Sequence, residues 1–558
     1  MEKGLVRYVI PLFLFANLLV NIDLFLIKEK AQVFANSDEE WYGIVINDIR
    51  ENGCSQGLPV TFEHSDRKSF HTCSFFKVLN FISPTSDYFY QTIYLKVMAK
   101  CLTLLLIGYA AVWLFNSFNL GVLFGTFFLL DNSFPAFKPV IETALNLLHG
   151  KGADLIANLR YISPLQYQVP GILFLLLMIK VVKRNYATKW DMAGTLLSLV
   201  LLALTPFYTW LPYLLIAFIF LAYNVLIQKK LYTRNYLLSC LAILGIFVCI
   251  QVGLTLGGEY QADALLRSSF RKGYFTPLYL WHKSFILTLV IFGVCAYWQF
   301  RNIYFAFIAA FAPYVLLNIN ILTGYDYQNF HFKTYLALPI FGFIFFVVYS
   351  RCRSSTRKIK IFYTFISIFI LNAFVFATYS LRSAHAYLHP FARLNDNKDL
   401  LQYLNSLQGR KNLFCGELYT EIPLMTRHKC YYHHLLMTYP LSNQELLEMV
   451  TTHYYLGGKT EDDIRLEMKR HYGIMATYNI GVKDEWLQSN QTSDRYSNEN
   501  ILKYNDLWLE HYRENAKTIA QNNLSKFDYL ILKNTSKMSF SLKLIQRFKN
   551  FSVYHYDR

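Results

Sequence analysis

The densest run of reactive side chains near the start of the chain is Ser37-Asp38-Glu39-Glu40-Trp41-Tyr42, continuing through Ile44-Val45-Ile46-Asn47-Asp48-Ile49. A carboxylate beside aromatic rings can act as general base on a hydroxyl brought within hydrogen-bonding reach. Asp38 and Glu39 are the candidates for that role, with Tyr42 close by as a substrate contact. The same residues support a second reading: Ser37 or Asp38 can N-cap a surface helix whose first turn favours acids, and no chemistry is then needed. His433-His434 has no second ligand pair at metal spacing, so no metal site is read. A divalent cation is compatible with base chemistry at such a cluster, but no motif specifies one as cofactor.

Whatever positions these residues is an apolar scaffold. The chain has 558 residues, of which 54% are hydrophobic, 17% aromatic and only 16% charged, and its mean hydropathy is +0.24. Those values favour lipid as the solvent of much of the chain. The formal charge of +17 could suggest nucleic acid. Its placement argues against that partner, because many Lys and Arg fall in short links between apolar runs, where they orient helices in a bilayer.

A bilayer core takes about 20 apolar residues of helix. The runs that qualify or nearly qualify are Leu5–Ile27, Val97–Phe115, Leu120–Leu130, Val169–Val182, Met192–Thr205, Leu211–Ile227, Leu237–Leu256, Leu278–Gln299, Ile303–Leu322, Thr334–Ser350 and Ile361–Ser380. The expected fold is therefore an α-helical polytopic membrane protein of about eleven transmembrane helices. Leu5–Ile27 reads as a retained anchor, since no small-x-small cleavage site follows it. Between Met192 and Ile227 the run Thr205-Pro206-Phe207-Tyr208-Thr209-Trp210-Leu211-Pro212 reads as a tight surface turn. Asp23 and Asp131 are expensive in hydrocarbon and should face the bundle interior.

With the N-terminus cytoplasmic, the inner links carry Lys183, Arg184, Lys189, Lys229, Lys230, Arg234, Arg301, Arg351, Arg353, Arg357, Lys358 and Lys360, opposed only by Asp191. That agrees with the positive-inside rule. It leaves 1–380 as a transmembrane domain with an extracytoplasmic loop at 28–96, and 381–558 as an extracytoplasmic domain. Cys54, Cys73, Cys415 and Cys430 then lie outside, as two local disulfides or four thiols.

The tail alternates helical and strand patterns and reads as a small α/β domain. Helices are expected at Asp396–Gln408, Ser442–Leu456, Thr460–His471, Glu499–Gln521 and Ser539–Asn550. Strands are expected at Asn412–Cys415, Tyr529–Leu532 and Ser552–Tyr556.

A first span, a loop with the acidic pair Asp38-Glu39 and then Tyr42, a helix bundle and an outer C-terminal domain together resemble the GT-C glycosyltransferases. That superfamily includes oligosaccharyltransferases, protein O-mannosyltransferases and the lipid A aminoarabinose transferase. Arg160-Tyr161-Ile162-Ser163-Pro164 and Leu322-Thr323-Gly324-Tyr325-Asp326-Tyr327-Gln328-Asn329-Phe330-His331-Phe332 are similar to uncharacterised bacterial members. The resemblance implies catalysis by the first-loop Asp38, a donor sugar carried on a polyprenyl phosphate or pyrophosphate, membrane lipids as surroundings, and a bacterial inner membrane location. The oligosaccharyltransferase WWD-type signature is missing from the C-terminal domain, which argues against a peptide acceptor.

A phosphate-linked donor needs cations at the outer surface. Lys96 and Lys100, one helical turn apart, Arg160, Arg267, Arg271 with Lys272, and Arg382 are the candidates; each also reads as a headgroup anchor. Arg267 and Arg271 are four residues apart and would share a helix face. His331 can hydrogen-bond a phosphate or pyranose hydroxyl, or be structural. Two other functions fit the same chain: a lipid or solute transporter or flippase, for which no internal repeat is found, and a non-catalytic membrane assembly protein.

Overall fold

The computed structural model describes residues 73–84, 88–115, 164–205, 207–226, 396–433, 441–470, 498–536 and 540–556. It adds shorter pieces between 229 and 364, and Ile44, Asp48, Ile49 and Phe62. The expected spans Leu5–Ile27, Leu120–Leu130 and Thr334–Ser350 lie outside these residues.

The described part of the chain up to Leu226 is mainly helical. It comprises α1 (Cys73–Ile82), α2 (Tyr88–Phe115), α3 (Pro164–Arg184), α4 (Lys189–Ala203) and α5 (Phe207–Leu226). Four expected spans coincide with α2 to α5, although α2 begins nine residues before Val97 and α3 five before Val169. Lys100 therefore sits well inside a helix rather than at its outer end. Among the described residues no helix is long and apolar enough to cross a membrane.

α3 is the centre of this group, with α2, α4 and α5 packed around it. Gly171 of α3 lies under the ring of Tyr213 of α5, which fills the space a side chain would need. The turn into α4 is specified by a capping box. The Thr188 hydroxyl accepts from the Asp191 amide at 3.1 Å, and the Asp191 carboxylate accepts from the Thr188 amide at 2.9 Å. Lys180 of α3 adds an ion pair to Asp191 at 2.5 Å. The helix stops at Ala203 and α5 starts at Phe207, so a break falls between the two. Pro212, expected in the same turn, instead lies inside α5.

Farther along, β1 (Arg271–Lys272) pairs antiparallel with β2 (Tyr325–Asp326), which follows the one-turn helix α6 (Asn320–Thr323).

The C-terminal domain is built on a five-stranded sheet of order β4-β3-β5-β7-β6. In chain order it runs α7 (Lys398–Ser406), β3 (Asn412–Phe414), a 3-10 turn, α8 (Glu421–Met425), β4 (Lys429–Cys430), α9 (Asn443–Leu456), α10 (Glu461–Arg470), α11 (Asn498–Asn523), β5 (Tyr529–Lys533), β6 (Lys543–Arg547) and β7 (Phe551–His555). β3 is parallel to both β4 and β5, whereas β7 is antiparallel to β5 and β6. α9 packs along α11, and its start is fixed by a second capping box between Ser442 and Glu445. Leu413, Leu530, Ile531 and Val553 from the strands and Leu446, Val450 and Leu509 from the helices are fully buried.

One expected element changes type. The stretch Ser539–Asn550, read as a helix, holds the edge strand β6. Phe540, Leu544, Ile545 and Phe548 recur at helical spacing, but every residue of β6 is exposed, so pairing with β7 rather than burial of a helix face decides its conformation.

Candidate functional site

The catalytic pair expected in the first loop, Asp38 and Glu39, lies outside the described residues, as do Tyr42, Arg160, Arg267 and His331. Of the loop's continuation Ile44, Asp48, Ile49 and Phe62 are described, and they pack against the C-terminal domain. Ile44 and Ile49 are buried in the core that the domain forms with Phe76 and Leu79 of α1. The Phe62 amide donates to the Cys430 carbonyl at 3.3 Å, and the Phe62 ring packs against Tyr431 and Phe527 with centroids 5.9 and 6.0 Å away.

Asp48 is the polar centre of this junction. One carboxylate oxygen accepts from Arg410 at 2.8 Å and lies 3.7 Å from the Lys429 ammonium. Asp48 and Lys429 are both buried. Burial pushes the Lys429 pKa below its ordinary value, and the Asp48 charge works the other way. Asp48 and Arg410 are 362 residues apart in the chain, so no spacing in the sequence could have paired them. Leu95 of α2 belongs to the same core, with Met98 and Leu204 packed against it.

Of the residues expected to bind a donor phosphate, Lys100 is on α2 and Arg271 on β1. Arg271 is in a strand, so the shared helix face expected for Arg267 and Arg271 is not what holds it. The register instead sets Arg271 opposite Asp326 and Lys272 opposite Tyr325. The basic loop before Pro277 and the segment leading to His331, chosen separately in the sequence, are thereby joined through their backbones.

The domain also contains an aromatic cluster with a histidine in it. His453 stacks on Tyr432 at a centroid distance of 4.0 Å and meets Tyr419 edge-on at 5.4 Å. Burial pushes its pKa down to about 3, with the Lys459 charge adding to the effect, so the ring stays neutral near pH 7. Its environment makes it a packing residue. The Cys415–Cys430 disulfide, with a Cα separation of 5.7 Å, ties the end of β3 to β4. One of the two local disulfides considered for the sequence is thus present, whereas Cys54 lies outside the described residues.

No protein-family model matches the chain, and no curated protein matches its sequence. Among solved structures, the chain is similar to ArnT from Cupriavidus metallidurans bound to undecaprenyl phosphate. The alignment covers 98% of each chain at 11% identity, with a TM-score of 0.49. At that distance, function has to be argued from this chain's own residues.

Proposed function

We propose that this chain is a membrane glycosyltransferase that moves a sugar from a polyprenyl-phosphate-linked donor to an acceptor at the outer face of the membrane. In this reading Asp38, with Glu39 beside it, takes the proton of the acceptor hydroxyl as that oxygen attacks the anomeric carbon. The bond from that carbon to the donor phosphate oxygen breaks, and Arg271 with its neighbours holds the departing phosphate. Tyr42, Lys100, Arg160, Arg267 and His331 complete the expected substrate contacts.

The observation that carries the reading is the pairing of Arg271–Lys272 with Tyr325–Asp326. It sets two of the cations proposed for the donor phosphate beside Tyr325–Asp326, in the segment that runs on to His331. The anchoring of the first loop through Asp48 supports it as well, because a general base works only when held to a fixed geometry.

A lipid setting is supported by the inverted surface of the helices. Leu102, Leu105 and Tyr109 on α2, Leu196 and Leu197 on α4, and Phe218 and Leu226 on α5 are exposed, while Thr103, Thr195, Ser198, Thr209 and Asn224 are buried. Several of those polar groups are satisfied within their own helix: Thr195 donates to the Asp191 carbonyl at 2.7 Å and Asn224 to the Phe220 carbonyl at 2.8 Å. Polar residues inside the bundle lower the hydropathy of each helix as a whole yet leave its outer face apolar. The disulfide favours an oxidising compartment for the C-terminal domain.

The test is sugar transfer in membranes at matched protein levels. Asp38→Asn keeps the capping ability of the side chain, since Asn and Asp cap about equally well, but removes the proton acceptor. The expected loss is ~10²–10⁴ in rate. Arg271→Ala should weaken use of the donor, where Lys229→Ala does not. Full activity in Asp38→Asn would leave helix capping as the role of Asp38, and loss in Glu39→Gln alone would move the base one residue along.

A further inference from the structure

At the carboxyl ends of β3 and β5 the C-terminal domain has a cavity of about 390 Å³, lined by Asp396, Asn397, Glu417, Lys533, Asn550 and Phe551 with Leu418 and Thr535. The strand order explains why a crevice forms there. The chain leaving β3 turns toward β4 on one side, and the chain leaving β5 turns toward β6 and β7 on the other. Two connections diverging from adjacent parallel strands leave a gap outside their carboxyl ends, the place where open α/β sheets take ligands.

The walls are held in place before any ligand arrives. Gly416, at φ +50, brings the turn after β3 so close to β5 that a Cβ there would lie 2.8 Å from the Ile531 carbonyl oxygen. That turn presents Glu417 two residues after the disulfide-linked Cys415. On the opposite wall the Asn534 side chain donates to the Phe548 and Lys549 carbonyls at 2.9 and 3.1 Å and accepts from Ser552 at 2.6 Å. Those bonds tie the turn after β5, which carries Thr535, to the turn between β6 and β7, which carries Asn550. A preformed cleft spares a ligand the entropy of ordering it.

We infer that this cleft binds a neutral, hydroxyl-rich ligand, a pyranose sugar unit. The lining offers carboxylates, amides and a hydroxyl, groups that accept from and donate to ligand hydroxyls, over a floor made by the buried side chains of Leu418 and Phe551. A sugar ring likewise has polar edges and less polar faces. The charged groups at the cleft are paired with one another, which suits an uncharged ligand. Glu417 is paired with Lys533 at 2.7 Å and with Lys459 at 3.7 Å, and Asp396 with Lys549 at 2.8 Å. A phosphate entering the cleft would meet two carboxylates whose lysines are already engaged. This inference goes beyond the transfer reaction, because it concerns a cleft in the C-terminal domain and requires no donor.

The experiment is ligand-observed NMR on the full chain in lipid nanodiscs, which avoids sugar-headed detergents. Glucose, galactose, mannose and N-acetylglucosamine are the probes, and no lipid-linked donor is present. Saturation transfer to at least one of them is expected. Thr535→Trp, which fills the cleft from an exposed position, and Asn550→Ala should each weaken that binding at least tenfold. Intact folding of both variants is checked by their resistance to protease, and Asn550→Ala decides the matter if the tryptophan disturbs the domain. Saturation of none of the four sugars, an unchanged signal in the variants, or displacement of the sugar by inorganic phosphate would each overturn the inference. Because no transfer is measured, failure here leaves the result for Asp38→Asn untouched, and the converse also holds.

Discussion

His453 illustrates how the C-terminal domain responds to acid. In the folded chain burial keeps the ring neutral down to about pH 3, while the unfolded chain takes up the proton near the ordinary value of about 6.5. Below that ordinary value the unfolded state therefore binds more protons than the folded one. Stability falls as the pH drops, by ~1.4 kcal/mol per pH unit in the window between the two values. Between pH 6.5 and 4.5 the wild-type domain should lose ~2 kcal/mol through this residue. His453→Phe keeps an aromatic ring against Tyr432 and Tyr419 and should lose correspondingly less. Pulse proteolysis of the full chain in urea at the two pH values measures both losses. Any packing change in the variant cancels, because the comparison is made within each protein; equal losses would remove His453 from the acid response. Little in Thr451-Thr452-His453-Tyr454 announces this role, since of the rings around the histidine only Tyr454 is a sequence neighbour, while Phe414, Tyr419 and Tyr432 come from other elements.

At the scale of elements, the junction between the first loop and the domain rests on a buried charge. Asp48→Ala leaves the Lys429 ammonium in the interior without that partner, and breaking a buried pair in this way costs ~3–5 kcal/mol. Because Arg410 is about one-third exposed, water screens its share. The expected result is a large loss of thermal stability in Asp48→Ala and recovery of more than half of it in Asp48→Ala with Lys429→Met, which removes both charges. Additive losses in the double variant would mean that the two residues are not coupled. Elements with local signals were legible in the sequence. Ser442 three residues before Glu445 marks the start of α9, and the apolar spacing of Asp396–Gln408 anticipates α7. Elements defined by their neighbours were not. β4 is two residues long and exists through its pairing with β3, and β6 is an exposed edge whose pattern fits a strand or a short helix. The cleft had no sequence signal either, because a crevice between diverging connections appears only once the strand order is known.

At the scale of the molecule, the contacts of the C-terminal domain bear on which way the helices run. Leu95 and Met98 near the start of α2 and Leu204 just after α4 pack at the domain core. The basic turn between α3 and α4, with Lys183, Arg184 and Lys189, lies at the opposite end of α4. There the Arg184 guanidinium sits 4.7 Å from the ring of Trp113, near the end of α2, an arrangement suited to a headgroup boundary. The domain and the basic turn should therefore be separated by the bilayer, with the turn on the positive, cytoplasmic side. A reporter active only in the cytoplasm, fused after Tyr387, should stay silent, and the same reporter inserted within Arg351–Lys360 should respond. Cysteine labelling gives an independent reading: a thiol-reactive, membrane-impermeant reagent added to intact cells should modify Ser541→Cys near the edge strand and leave Tyr186→Cys untouched until the cells are opened. Both positions are exposed in the structure, so a difference in labelling reports the side of the membrane rather than burial. The reverse pattern in either experiment would place the domain inside, and the outer-face reaction assigned to Asp38 would fall with it.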